Sequence, residues 1–341
     1  MKLAVIGGGS TYTPELIDGI IKRNSRLPVT HIHLLDITLD RLEIVSAFAS
    51  RMVKAAGIEI VITYGTDLDE AITGADFVVS QFRVGSQKAR HKDELLGRKF
   101  NLIGQETVGV GGFAKALRTI PVAMTLAQRV QDLSPNATFL NFTNPAGLIT
   151  QCLISNFPKL NIIGLCNVPW NTRIEIANAM GSDFQKVEFD YVGLNHLSWV
   201  RGVKIEGSDV SAAAIKAFRG LTIDKAKPGD SPSWTQGDID TLAAIPNYYL
   251  LYYYQTQSWI NYQSTHDTRA SEVIKIEEEL IEKFVEYTKK LSPDFLVGYF
   301  SDGFDLPYLK ARADKLKVKL EINLDGSQPR FSRGMEMTSR T

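Results

Sequence analysis

The chain has 341 residues, 44% of them hydrophobic, which suffices for one large domain or two ordinary ones around a sizeable core. Lysine plus arginine equals aspartate plus glutamate at 38 each, so nothing in the charge favours nucleic acid or an anionic membrane as partner, and an anionic ligand must be attracted by a local pocket. Two cysteines, Cys152 and Cys166, are too few for a disulfide scaffold, and neither a bilayer-length apolar run nor a secretory pattern is seen, so the expected location is cytoplasmic.

The first element is the most informative. Lys2 to Glu15 read KLAVIGGGSTYTPE. The apolar run Leu3–Ile6 ends in Gly7, Gly8 and Gly9, then Ser10 and Thr11, then the helix start Thr13-Pro14-Glu15. A buried strand, a glycine turn and a helix N-terminus in this order make a phosphate cradle suited to a dinucleotide. The usual G-x-G-x-x-G spacing would place glycine at position 12, where Tyr12 stands. The third glycine serves close helix–strand packing, so the first helix is expected to sit further from the sheet.

Further strands are expected at His31–Asp36, Ile58–Tyr64, Asp76–Phe82, Ala137–Phe142 and Ile162–Leu165. Helices are expected at Pro14–Lys22, Leu39–Ala56, Leu68–Thr73, Phe113–Leu133 and Gly147–Asn156. This alternation predicts an α/β fold with a Rossmann-like, doubly wound, mostly parallel sheet. Asp36, at the end of the second strand, can accept hydrogen bonds from ribose hydroxyls and would repel a 2′-phosphate, which favours NAD over NADP. It could instead cap the next turn. From about Val187 the pattern changes to a strand-like piece (Phe189–Gly193), an aromatic run (Tyr248–Tyr254) and a long helix (Arg269–Lys290). The expected division is a cofactor domain at 1–186, an α+β substrate and metal subdomain that also serves oligomerisation at 187–290, and a divergent tail, truncated or disordered, at 291–341. Residues 225–233 read as a surface loop.

Five segments combine reactive side chains with turn chemistry: residues 81–94 with Arg83, Arg90 and His91; 103–113 around Glu106; 141–147, NFTNPAG; 164–170, GLCNVPW; and 191–199, YVGLNHLSW. The first is expected to be a loop at a strand end, facing the ligand crevice. Cys166 and His196 are each placed at a turn after a strand. A thiolate and an imidazole suit Mn, Fe, Co, Ni or Zn with substrate oxygens completing the shell. The plainer alternative is a small buried hydrophobe and a satisfied polar residue. In PNYYLLYYY (Pro246–Tyr254), helical spacing would pair Tyr249 with Tyr253 and Tyr248 with Tyr252. That run is either an aromatic packing surface or the source of a phenol base. STHDTRASE (Ser264–Glu272) places His266 and Arg269 at a helix N-terminus, as an anion site or a solvated cap.

Together these motifs resemble the NAD- and metal-dependent glycoside hydrolases of family 4, and most of all their 6-phospho-β-glucosidase branch. The resemblance runs from Met1 to about Lys289 and rests on VIGGGSTYTPEL, FRVGSQKARHKDE, IGQETVGVGGF, NATFLNFTNPAG, GLCNVP, GLNHLSW, PNYYLLYYY and STHDTRASEV. It implies NAD held by Gly7, Gly8, Gly9, Ser10, Thr11 and Asp36, and a divalent metal, Mn²⁺ first, held by Cys166 and His196. It implies Tyr249 as catalytic base, Glu106 as the acidic residue that raises that base's basicity, and Arg90, Asn144 and Arg269 as substrate-binding residues. The α-acting members often carry Asp after the metal-binding Cys; Asn167 stands there in this sequence and points to the β branch. The implied reaction is hydrolysis of a phosphorylated glucoside or disaccharide, such as cellobiose 6-phosphate. It proceeds by oxidation at C3, deprotonation at C2, elimination, water addition and re-reduction. A homodimer or homotetramer is implied as well. The text after about Lys289 departs from the family. The alternatives are an NAD-dependent 2-hydroxy-acid dehydrogenase and an inactive NAD-binding relative.

Overall fold

The computed structural model describes residues 1–222, 231–291, 306–320 and 322. The expected loop at 225–233 lies outside the described residues over 225–230, as does most of the expected divergent tail.

Six strands form one sheet: β1 (Lys2–Ile6), β2 (His31–Leu35), β3 (Val61–Gly65), β4 (Phe77–Ser80), β5 (Thr138–Asn141) and β6 (Asn161–Gly164). Their order is β3-β2-β1-β4-β5-β6 and every pairing is parallel. Between them run α1 (Thr13–Ile21), α2 (Leu39–Ala55), α3 (Leu68–Ile72), α4 (Ser86–Lys99), α5 (Gly109–Leu133) and α6 (Ala146–Asn156), with α7 (Val168–Ala179) after β6. This is the doubly wound architecture that the alternating pattern predicts. Strand periodicity divides the core. Leu3 and Val5 join one apolar cluster with Ile17, Ile32 and Leu42, while Ala4 and Ile6 join another with Phe139, Ile149 and Leu153. The order reverses at β1, whose neighbours are β2 and β4, so a crevice opens beyond the C-terminal ends of these strands.

The first helix is not displaced from the sheet as the missing third glycine suggests. Ile17 and Ile20 are buried in the same cluster as Leu3 and Val5. The chain enters the helix so that Tyr12 faces outward and the small Thr13 faces the turn, its hydroxyl donating to the Gly8 carbonyl at 2.8 Å. The close approaches fall on the earlier glycines. Gly7 has φ +91°, and a Cβ there would lie 2.8 Å from the Phe82 nitrogen. Residues 81–94 differ too: the segment becomes helical at Ser86, after Gly85 in a left-handed conformation. Its buried positions are Asp93, Glu94 and Gly97, so it carries no apolar stripe to announce it.

The second sheet is antiparallel. β7 (Val187–Leu194) and β8 (Leu197–Ile205) form a hairpin, with β9 (Ser208–Asp209) and β10 (Ile245–Pro246) also paired to β8. Helices α8 (Ser211–Thr222), α9 (Gln236–Leu242), α10 (Leu251–Tyr254) and α11 (Thr256–Thr265) accompany it, around a core that includes Ile176, Val187, Val200, Ile239 and Trp259. Both sheets belong to one compact unit, Met1–His266. A second unit, from Asp267 onward, contains α12 (Arg269–Leu291) and α13 (Leu306–Leu316). Among the described residues, no helix is long and apolar enough to cross a membrane.

Candidate active site

Cys166 follows β6 and precedes α7. The backbone N–H groups of Asn167 and Val168 at that helix start bond its sulfur, yet burial outweighs them and pushes the thiol pKa up. His196 occupies the two-residue turn of the β7–β8 hairpin, where Leu194 pairs with Leu197. Its backbone is left-handed, φ 64°, and the hairpin closes tightly over Gly193, where a Cβ would lie 2.3 Å from the Leu197 carbonyl oxygen. His196 is buried, which pulls its pKa down to about 4. The ring is therefore neutral at ordinary pH, the form that ligates metals. Cys166 Sγ lies 3.5 Å from His196 Nε2. Two residues thirty positions apart are thus brought together from two different sheets.

Tyr249 completes the cluster. Its ring stacks on His196 with centroids 3.6 Å apart and planes 2° from parallel. The tyrosine run is not one helix: Tyr248–Leu250 form a 3₁₀ turn before α10. Tyr253 is accordingly exposed, and Tyr249 packs edge-on against Tyr252, not against Tyr253. Asn247 fixes this turn. Its Oδ1 accepts from the Tyr249 N–H at 3.0 Å, and its Nδ2 donates to Ser198 Oγ at 3.2 Å. Ser198 lies two residues after His196, so one polar network holds both the Tyr249 backbone and the hairpin. Burial raises the Tyr249 pKa, and the Glu106 and Cys166 charges add to this, while a hydrogen bond with Thr107 and the Arg90 charge oppose it.

Glu106 lies just before α5 and is buried. It pairs with Arg83, with Arg90 Nε at 3.3 Å and with Lys115 Nζ at 2.7 Å. Burial alone would raise its pKa, but these three cations hold it down to about 2. Such a carboxylate stays ionised and cannot serve as a proton donor. Arg90 also meets Glu94 Oε1 at 2.8 Å, and Arg118 forks onto Asp93 at 2.7 and 3.1 Å.

The turn after β1 stands at the same end of the sheet. The Gly9 N–H donates to Asp36 Oδ2 at 3.0 Å and Ile37 N–H to Asp36 Oδ1 at 2.8 Å. A Cβ on Gly9 would come 2.8 Å from Asp36 Oδ2, so the acid and the glycine turn are packed as one piece. Ser10 Oγ accepts from the Tyr12 N–H at 3.1 Å, and Thr11 is exposed beside it. The Tyr12 hydroxyl reaches Asn167 Nδ2 at 3.5 Å and its ring lies 5.5 Å from that of Phe142. The glycine turn, the end of β5 and the start of α7 therefore converge. Asn144, half-buried, follows β5 at a cis bond to Pro145. Arg269 lies in the second unit, where it opens α12 and donates to Glu272 Oε2 at 3.0 Å.

Sequence reasoning named Arg83 without a role and passed over Lys115, Thr107 and Asn247. Lys115 left a signal: it falls beside the inward positions Gly112, Ala116 and Thr119 of an amphipathic helix, where a cation has no place unless paired.

A family model described as family 4 glycosyl hydrolase matches residues 2–182. The chain belongs to this family. Among its family 4 relatives, a probable 6-phospho-beta-glucosidase of Bacillus subtilis is 39% identical over 317 residues, which cover 89% of this chain and 71% of that protein. The 6-phospho-beta-glucosidase BglT of Thermotoga maritima is 39% identical, over 83% of this chain and 66% of that protein. A Thermotoga maritima 6-phospho-beta glucosidase solved with manganese, NAD+ and glucose-6-phosphate superposes with a TM-score of 0.74 at 38% identity, over 83% of this chain and 68% of that one. A 6-phospho-alpha-glucosidase from gut microorganisms, solved with NAD and Mn2+, gives 0.72 at 28% identity, over 80% and 65%. The chain thus spans about two thirds of the length of these relatives. A second model, described as the exonuclease domain of DNA polymerase family B, matches residues 248–340. The first part of that span, through His266, folds within the first unit and carries Tyr249.

Proposed function

We propose that this family 4 member hydrolyses 6-phospho-β-glucosides, cellobiose 6-phosphate among them, with NAD and a divalent metal, Mn²⁺ first, as cofactors. The observation that carries the reading is the meeting of a thiol, a neutral imidazole and a phenol at Cys166, His196 and Tyr249. The residues suit both groups. Gly7, Gly8 and Gly9 leave no room for side chains where the turn meets the sheet and Asp36, and Ser10 and Thr11 follow at the helix entrance. Cys166 and His196 offer two ligands of borderline softness and leave positions for sugar oxygens. Bound together, the two cofactors would supply reversible oxidation at the sugar C3 and polarisation of the resulting carbonyl, which acidifies the C2 hydrogen.

The chain's own residues do the rest. Tyr249 takes the C2 proton. Its phenol is raised by burial, so it becomes a base only once a cation at Cys166 and His196 offsets that effect. Glu106 stays ionised and contributes a fixed negative charge that makes the phenolate a stronger base. Arg90 and Asn144 bind the substrate in this reading, and for Arg269, in the second unit, the role rests on the resemblance alone. Asn167 stands where the resemblance places Asp in α-acting members, which supports β-glucosides over α-glucosides; its amide can hold a leaving oxygen by a hydrogen bond. A homodimer or homotetramer in the cytoplasm is part of the same proposal, supported by exposed Leu194, Trp170 and Val192 and by two unpaired cysteines.

The test is incubation with a chromogenic β-glucoside 6-phosphate, NAD and Mn²⁺. Release of the phenol without accumulation of NADH is expected. Stoichiometric NADH formed from a 2-hydroxy acid, with no phenol released, would sink the reading.

A further inference from the structure

Lys115 has no part in the chemistry above, yet it is 2% exposed and its ammonium lies 2.7 Å from the carboxylate of Glu106. The placement is built in by the backbone. The start of α5 is pressed against residues 105–107: a Cβ on Gly111 would come 2.2 Å from the Gln105 carbonyl oxygen, and one on Gly112 would come 2.6 Å from the Thr107 carbonyl carbon. Lys115 leaves the helix just beyond these contacts and reaches back to Glu106. The other two cations on Glu106 are held differently. The side chain of Arg83 is 31% exposed and that of Arg90 12%, against 3% for Lys115. Arg83 follows β4 in a loop, and Arg90 is shared with Glu94. The charged groups acting on Lys115 are Glu106, Arg83 and Arg90, while the nearby Arg118 is engaged with Asp93 and the Val84 carbonyl. Burial lowers the ammonium to about 8, so it is still mostly charged at neutral pH.

A buried carboxylate that loses its partners is strongly destabilised. In the proposed function Arg90 binds a phosphorylated sugar, and drawing it from Glu106 would expose the carboxylate to that loss. We propose that Lys115 is a positioning residue, the permanent counter-charge of Glu106, which frees Arg83 and Arg90 to turn to an anionic substrate. This rests on the functional reading above, in that Arg90 binds the phosphorylated sugar; the part of Arg83 belongs to this proposal alone, from its more exposed side chain on the same carboxylate. Lys115 never touches the substrate. It keeps the Glu106 carboxylate in place beside Tyr249 while the arginines are engaged elsewhere.

The test is calorimetric binding of glucose 6-phosphate to the full chain with NAD and Mn²⁺ present. The unsubstituted protein is compared with Lys115→Met, Glu106→Gln and the double variant. Lys115→Met should weaken binding by about fivefold or more, because Glu106 then retains an arginine, while Glu106→Gln makes Lys115 redundant. The double variant should therefore bind as Glu106→Gln does. It also buries no unpaired charge, so if either single variant fails to fold it is compared with the unsubstituted protein, against which its glucose 6-phosphate binding should not be weaker by about fivefold. With a chromogenic substrate, Lys115→Met should raise KM more than it lowers kcat. NAD affinity should be unchanged in every folded variant. Unaltered glucose 6-phosphate binding in Lys115→Met, or a double variant weaker than Glu106→Gln, would overturn the positioning role and leave the hydrolase reading standing. An unsubstituted chain that does not bind glucose 6-phosphate would overturn the functional reading, and this role with it.

Discussion

In the proposed mechanism Tyr249 becomes a base only through its surroundings. Burial and the nearby Glu106 and Cys166 charges all raise the phenol, and in that mechanism a cation at Cys166 and His196 would offset them. Tyr249→Phe keeps the ring stacked on His196 and removes the hydroxyl. It should cut turnover by about two to four orders of magnitude, as loss of a general base does. NAD affinity by calorimetry should stay near that of the unsubstituted protein; undiminished turnover would remove Tyr249 from the role. In the same reading Cys166→Ser replaces a soft ligand by a hard, poor one. Activity and manganese affinity should fall together by about 10-fold or more, and full activity in excess chelator would exclude a metal role.

His196 gives a pH prediction in the metal-free protein. Its pKa falls from 6.5 unfolded to about 4 folded, so the unfolded chain binds the extra proton between these values. Stability is then present above pH 6.5 and lost as the pH falls toward 4. The effect is on the order of 3 kcal/mol at most. Glu106 has the same sign over a lower window, from 4.5 down to about 2. Denaturation midpoints measured from neutral pH to pH 4 should fall, and His196→Gln should flatten the slope above pH 4.5. An equal slope in that variant would assign the loss to other groups.

At the scale of elements, the glycine turn can be tested by crowding it. A Cβ on Gly8 would lie 2.7 Å from Leu34 Cβ and 2.9 Å from Leu34 Cα, and the second contact is backbone that cannot swing aside. Gly8→Ala should cost about 1–3 kcal/mol in denaturant unfolding, as overpacking does, and weaken NAD binding with it. Unchanged stability and NAD affinity would show that the turn relaxes freely.

The elements that were legible in the sequence are those with an uncompromised pattern. β1, β2 and β4 are short apolar runs because both faces are covered, and α2 shows an apolar stripe. The start of α4 was hidden because its buried residues, Asp93 and Glu94, are acidic and take their partners from Arg118 and Arg90. α7 was missed as well, since it lacks a clear apolar face. In the site, Cys166, His196, Tyr249 and Glu106 were found through motifs and resemblance, and spacing alone left Cys166 and His196 ambiguous. Asn247 escaped because its role is a contact across a long sequence separation, and Lys115, nine residues from Glu106, because its partner lies off the helix that carries it. Asn247 meets Ser198, and the Glu106 cluster joins β4, α4 and α5.

For the molecule as a whole, the cofactor is a stability term. A ligand that binds the folded chain alone stabilises it by about 2.7 kcal/mol at 100 times its dissociation constant. The unit that contains the turn runs from Met1 to His266, so this should raise the melting temperature by roughly 5 °C. Scanning calorimetry with and without NAD measures it. NADP at the same concentration should give little or none of the shift, because in the proposed reading the Asp36 carboxylate repels its 2′-phosphate. Equal shifts would contradict the cofactor preference.

The hairpin that presents His196 limits how this protein can diverge. Surface hairpins usually accept changes of length, since an added residue only bulges into water. Here Leu194 faces Leu197 across a turn whose second residue is the imidazole, tied through Ser198 and Asn247 to the Tyr249 backbone. One inserted residue would leave both strands paired and carry the ring away from Cys166 and Tyr249 together. A lineage carrying such an insertion would keep its fold and its dinucleotide turn while losing the chemistry. In the proposed reading, length at this turn is therefore constrained by the chemistry and not by the fold.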